Sequence, residues 1–192
     1  MAEITTPYSP MRIDCTVGYP YGEINSGYSC GYHTGCDFPA SGTSQSNPDL
    51  YSITDDGEVV YVYKDSTGTT PALGNQVQIK DNRTGLYYRY CHMLHGSIIL
   101  NVGDKVNLNT KIGTMGNTGN STGTHLHLEA STTQVWQCSS FVNPCEPLGI
   151  PNVRGTVVKW DGTPIPPTPV NYAKTKFKWV LYSNKLRKKR CI

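Results

Sequence analysis

Residues 120–130, Asn-Ser-Thr-Gly-Thr-His125-Leu126-His127-Leu128-Glu129-Ala130, decide how the chain is read. A run of small polar residues gives way abruptly to alternating polar and apolar side chains. Successive side chains of a β-strand point to opposite faces, so residues two apart share one. This puts His125, His127 and Glu129 on one side of a strand and Leu126 and Leu128 on the other. The leucines can pack into a core while two imidazoles converge on one point. A half-exposed strand with two incidental histidines fits the same pattern, so the remaining histidines must decide.

Composition frames the rest. A length of 192 residues suffices for one well-buried domain and an appendage. Glycine (19), proline (13) and tyrosine (13) are plentiful and charged residues make up 16%. That mixture suits a loop-rich, mostly β protein, and few stretches show the apolar i, i+3, i+4 pattern of a long helix. Strands are predicted at 58–63, 75–80 and 86–92, which are β-branched and aromatic and separated by turn signals at 65–68 and 81–85. The last two read as a hairpin. His92 ends its strand, where side chains project into a site at a sheet rim, whereas His95 reads as a surface residue. A turn at 101–105 feeds a strand, 111–116 is another, and the loop 117–124 delivers the chain into His125. The polar segment 1–32 carries tyrosines at 8, 19, 21, 28 and 32. Such rings can line a groove, since each offers contact area with a polar tip, although ordinary surface loop is the reading for most of them.

Charge is unevenly distributed. Residues 1–153 hold seven Lys/Arg and thirteen Asp/Glu, a net of −6, and residues 154–192 hold ten and one, a net of +9. The expected organisation is a domain at 1–153, a proline-rich extended linker at 154–173, and a basic amphipathic tail at 174–192 with Trp179, Tyr182 and Leu186 at helical spacing. Such a tail points to an anionic partner or to simple solubilisation. Nucleic acid is not favoured, because no aromatic-basic module accompanies the charge. The first residues lack the basic start and apolar core of a secretory signal, and no apolar run reaches membrane-spanning length. Seven cysteines without a Cys-x-x-Cys spacing speak against a zinc ribbon. Cys30/Cys36 and Cys138/Cys145 can close small disulfide loops. Buried free thiols are the preferred expectation, given the missing export signal.

A second pair of metal-binding side chains stands at His33-Thr-Gly-Cys-Asp37. Imidazole nitrogen and carboxylate oxygen are both zinc ligands, and an extended segment here turns Cys36 inward, away from Asp37. His33, Asp37, His92, His125 and His127 then form one set that uses four of the five histidines. A catalytic zinc needs three protein ligands and an open position, and further histidines can hold protons beside it. No His-Glu-x-x-His helix is present, which excludes a helical zincin.

These pieces resemble the lysostaphin-type, or LytM-like, zinc endopeptidases that cleave peptide stems or cross-bridges of bacterial peptidoglycan. The resemblance is carried by Tyr32-His-Thr-Gly-Cys-Asp-Phe38, Tyr90-Cys-His92, Val102-Gly-Asp-Lys-Val106, the stretch from Lys111 to Glu129, and Val142-Asn-Pro144, and spans roughly residues 10–150. Departures are Cys36 in place of an aliphatic residue, Thr124 in place of proline, and a distinct 63–76 connection. The resemblance implies an antiparallel β core of the duplicated-hybrid-motif kind with long loops forming a groove. It implies His33, Asp37 and His127 as ligands of one Zn²⁺, and His92 and His125 as the catalytic proton-handling pair. The 117–124 loop becomes a groove wall, with Tyr32, Asn117, Thr118 and Ser121 as substrate-binding candidates. Glu129 is read as structural, with a role in orienting a histidine left open. Which peptide bond is cut depends on cleft loops such as 40–57 and 63–75.

The function expected is a zinc-dependent peptidoglycan endopeptidase acting at the bacterial cell wall, released by lysis or carried in a phage particle, with its tail drawn to anionic wall polymers. The alternatives are a catalytically inactive member that binds walls or activates another hydrolase, and a virion structural component that carries the domain.

Overall fold

The computed structural model describes residues 2–6 and 8–162. The tail expected at 174–192 and most of the expected linker lie outside the described residues. Twelve strands are described: β1 (Glu3–Thr6), β2 (Cys15–Thr16), β3 (Gly35–Pro39), β4 (Asp49–Tyr51), β5 (Gly57–Tyr63), β6 (Asn75–Asp81), β7 (Tyr87–Met93), β8 (Lys105–Val106), β9 (Lys111–Thr114), β10 (His125–Ser131), β11 (Phe141–Val142) and β12 (Val157–Trp160). The only helical elements among the described residues are 3-10 turns at Ala40–Gly42 and Glu146–Leu148. The mostly β, antiparallel expectation therefore holds, and β6 and β7 form the expected hairpin.

The main sheet has the order β11-β10-β7-β6-β5-β8, with β3 also paired to β10. Strand β10 is its pivot. One edge pairs with β7, and the other pairs with β3 along its first half and with β11 at its end. Opposed residues in an antiparallel pair share a face, so the register sorts the sheet without further information. Leu126 opposes Phe38, Leu128 opposes Cys36 and Tyr90, and Ala130 opposes Tyr88. All are buried, and with Val59, Val77 and Ile79 of β5 and β6 they form the core face. On the other face His127 opposes Asp37 and Cys91, and Glu129 opposes Gly35 and Arg89. As expected, Cys36 turns inward, away from Asp37.

Two other features depart from the sequence reading. The segment assigned to linker from residue 154 begins with β12, which pairs in parallel with β1 and antiparallel with β2. Val158 is fully buried there; the count of prolines further on hid four strand-forming residues, Val-Val-Lys-Trp. The cysteine expectation is corrected as well. Cys30 and Cys138 are bonded to each other across 108 residues, while Cys15, Cys36, Cys91 and Cys145 are buried free thiols. The short loops 30–36 and 138–145 do not close because Cys36 and Cys145 face the core, a partition that spacing alone does not reveal.

A cross-link over so long a loop removes much of the unfolded chain's freedom. The Cys30→Ser/Cys138→Ser protein is expected to lose about 2–4 kcal/mol of stability, read as a lowered urea midpoint with an altered slope.

Candidate active site

His33 enters just before β3 from a turn-rich loop and is buried; its Nδ1 lies 3.0 Å from the Pro20 carbonyl. A carbonyl only accepts, so Nδ1 carries the hydrogen and Nε2 presents a lone pair. That Nε2 is 3.2 Å from Asp37 Oδ1 and 3.0 Å from His127 Nδ1, and the latter two atoms are 2.8 Å apart. The three atoms lie within 4.8 Å of one another as a potential metal-binding group. His125, also placed in the set, approaches Asp37 Oδ1 through Nε2 at 3.7 Å.

The electrostatics favour a cation at this point. With His127 Nδ1 unprotonated these are three acceptor atoms about 3 Å apart, which repel unless a proton or a metal ion lies between them. Zinc bonds of roughly 2.0–2.2 Å in tetrahedral geometry separate ligand atoms by about 3.3 Å, close to the spacing found. Burial opposes charge on His127, but Asp37 and Glu129 overcome it and push its pKa up to about 10. Burial likewise works against the Asp37 carboxylate, yet His127 and His33 hold its pKa well below the usual range. The donor set, two imidazoles and one carboxylate, is that of a catalytic zinc site, so these residues fit the ion.

His92 reaches the site through a bulge. Between Val77↔Tyr90 and Asn75↔Met93 the pairing of β6 and β7 shifts by one residue, leaving Cys91 and His92 opposite Gln76. Unbroken alternation would send His92 to the core face beside Tyr90. Instead its backbone adopts φ +58°, a left-handed conformation, and Met93 takes the core position. The imidazole then lies beside those of His125 and His127, tilted to both, at 4.7 Å and 5.8 Å between ring centroids. His92 Nδ1 donates to the Thr118 carbonyl at 2.7 Å, and His125 Nδ1 to the Gly123 carbonyl at 2.8 Å. Each ring is thereby left with Nε2 as its free acceptor. Burial first, then repulsion from His125 and His127, lowers the His92 pKa to about 4.

The four substrate-binding candidates separate. Thr118 is occupied within the protein: its hydroxyl donates to the Met93 carbonyl and accepts from Asn75 N–H, while its carbonyl holds His92. Its loop is pinned by Gly119 N–H to the Gly68 carbonyl and by Asn120 N–H to the Ala72 carbonyl, so the 63–75 connection braces the site. Tyr32 donates its hydroxyl to the Cys138 carbonyl. Ser121 sits 3.1 Å from His125 Nδ1, and Asn117 is exposed. The groove that runs up to Asp37 and His125, about 630 Å³, is lined instead by Tyr19, Pro39, Ser41, Thr43 to Ser46 and Thr122 to Thr124. Tyr28, whose ring centroid is 5.2 Å from that of His33, also flanks the site. His95 is exposed, as its sequence position indicates.

Gly35 completes the site by what it lacks. A Cβ there would stand 2.5 Å from the Leu128 carbonyl oxygen, 2.8 Å from His127 Cε1 and 2.9 Å from Glu129 Cγ. Backbone cannot yield cheaply, so Gly35→Ala is expected to cost about 1–3 kcal/mol and to loosen metal retention, checked by denaturant unfolding and zinc content together.

An all-β scaffold carrying a largely buried His/Asp/His cluster faced by two further histidines suits a metallopeptidase. The profile of peptidase family M23 matches residues 31–139, and the chain belongs to that family. Among solved structures it is similar to the catalytic domain of the antimicrobial peptidase lysostaphin from Staphylococcus simulans, with 27% identity and a TM-score of 0.57 over 70% of this chain and 92% of that one. It is similar also to the catalytic domain of the prophage-encoded M23 protein EnpA from Enterococcus faecalis, with 28% identity and a TM-score of 0.50 over 68% of this chain and 88% of that one. An uncharacterized metalloprotease of Buchnera aphidicola subsp. Baizongia pistaciae is 41% identical over 71 residues, 37% of this chain. The matched region spans 17% of that relative's length.

Proposed function

We propose that the chain is a zinc-dependent endopeptidase that hydrolyses peptide stems or cross-bridges of bacterial peptidoglycan. The observation that carries the reading is the convergence of His33 Nε2, Asp37 Oδ1 and His127 Nδ1, with His92 and His125 beside them at the end of a groove. His33, Asp37 and His127 would hold the ion. When bound, zinc lowers the pKa of its water toward neutrality and polarises the scissile carbonyl. His92, unprotonated at neutral pH and fixed by Thr118, takes up a proton through Nε2. His125, fixed by Gly123 and reaching toward Asp37, steadies the developing oxyanion when it is protonated at Nε2, and the proton taken up by His92 passes on to the leaving amine. The groove walls, 41–46 and 122–124, align the peptide by backbone and hydroxyl groups.

Action at the cell wall, in the setting of a phage or prophage lysin, is supported by likeness to a prophage-encoded M23 protein. Among the described residues no helix is long and apolar enough to cross a membrane. We assign the basic residues beyond 173 an attraction for anionic wall polymers; removing 174–192 should weaken wall binding and its salt dependence together. Mass spectrometry of muropeptides after digestion tests the reading and names the bond cut. A zinc-loaded protein that leaves walls of many species intact would overturn it in favour of an inactive wall-binding member.

A further inference from the structure

Beside the ligand cluster lies a buried charged pair that the reaction does not use. Glu129 is 1% exposed and Arg89 9% exposed, and they oppose each other across β10 and β7 on the site face. Both oxygens of Glu129 are assigned. Oε2 accepts from Arg89 Nε at 2.5 Å and pairs with Arg89 Nη2. Oε1 accepts from the Thr34 hydroxyl at 2.6 Å and lies 3.2 Å from His127 Nε2. That Nε2 is buried and has no hydrogen-bond partner of standard geometry. The guanidinium is itself fixed, stacked 4.1 Å from the centroid of Trp136, whose indole N–H donates to Gln78 at 2.9 Å.

A structural role explains this arrangement poorly. Taking two charges out of water costs about as much as their attraction returns, so apolar residues of similar volume commonly serve stability as well or better. The placement makes sense if the carboxylate serves His127. An imidazole carries its hydrogen on one nitrogen only when neutral. If Nε2 found no acceptor, the hydrogen would sit on Nδ1, the atom that faces His33 and Asp37, and its lone pair would be lost to the site.

We infer that Glu129, held in place by Arg89 and Thr34, is a positioning residue that keeps the hydrogen of His127 on Nε2 and so presents Nδ1 to the metal. The Arg89 and Thr34 bonds also keep the carboxylate on the far side of the ring, as an orienter and not a fourth ligand. The inference rests on the proposed ligand role of His127 and is independent of which bond the protein cuts.

The test compares the full chain with Arg89→Met/Glu129→Leu, which removes both charges without orphaning either, and with Arg89→Met/Glu129→Gln, which returns an acceptor near Nε2. Zinc dissociation constants come from competition with a chromophoric chelator, ligand-field spectra from the cobalt-substituted proteins, and apo stability from urea unfolding. The Leu variant is expected to bind zinc about 10–100-fold more weakly, with an altered cobalt spectrum and an unchanged or raised apo midpoint. The Gln variant should recover part of the affinity. Zinc binding within twofold of wild type in the Leu variant overturns the inference; should that variant fail to fold, Arg89→Met/Glu129→Met takes its place under the same criterion. A wild-type chain that takes no zinc overturns this inference and the ligand assignment together. One that takes zinc but leaves walls intact overturns the peptidase reading alone.

Discussion

His127→Ala is expected to abolish wall hydrolysis, lowering the rate by about a thousandfold or more, and to reduce zinc content to background. The magnitude follows from the chemistry assigned to the ion. Its stabilisation of charge in the transition state is worth several kcal/mol, and each 1.4 kcal/mol is a factor of about ten in rate. His127 is also the residue whose loss touches most partners: Asp37 at 2.8 Å, His33 at 3.0 Å and Glu129 at 3.2 Å all address its ring. Without it, two carboxylates remain in a buried pocket with one fewer cationic partner, so the variant should lose stability as well. Turbidity loss of purified walls, metal analysis and urea unfolding on the same preparation check all three consequences. Chelator treatment of the unaltered protein should reproduce the rate effect and zinc should restore it. Full activity in a metal-free preparation would contradict the assignment.

His92→Ala and His125→Ala should behave differently. Each is expected to lower kcat by about 10²- to 10⁴-fold, the usual contribution of a positioned acid or base, while the protein still holds close to one equivalent of zinc. The distinction is geometric. Neither ring belongs to the three-atom cluster, and both have Nδ1 committed to a backbone carbonyl. The sign of the pH effect follows for His92. Because its pKa is lowered to about 4, the ring can accept a proton throughout the neutral range. The base is lost only as pH falls toward that value, so His92 should impose no decline between pH 6 and 8. A His92→Ala protein that lost its zinc would move His92 into the ligand set.

Much of the centre could be read from the chain before any coordinates. The two-residue spacing of His125 and His127 fixes their common face, because strand alternation depends on backbone geometry alone. The His33–Asp37 pair needed the chain to bend around the glycine between them; β3 starts at Gly35 and carries Asp37, while His33 enters from the loop before it. Other parts depend on contacts that no local pattern encodes. The bulge that turns His92 toward the site is a one-residue mismatch between two strands, visible only when their register is known. The service of Thr118 to His92 comes through a backbone carbonyl, which any residue type has. Arg89 and Glu129 are 40 positions apart and meet because β7 and β10 pair. Cys30 finds Cys138 because their loops converge in space, not in sequence. Strands as short as β2, β8 and β11 carry too few residues for a periodic signal.

The left-handed backbone at His92 sets activity against stability at a single position. A non-glycine residue there costs about 1 kcal/mol or more, and histidine adds a desolvated ring placed beside two others. Asparagine tolerates the left-handed region more readily, and its side-chain amide can replace Nδ1–H in the bond to the Thr118 carbonyl. His92→Asn is therefore expected to fold with stability within about 1 kcal/mol of the parent, or above it, while losing the proton acceptor; urea unfolding beside the wall assay measures both. Loss of the proposed proton acceptor would thus take one substitution and leave the fold intact. On this reading the histidine at position 92 serves turnover, since asparagine would serve the fold as well.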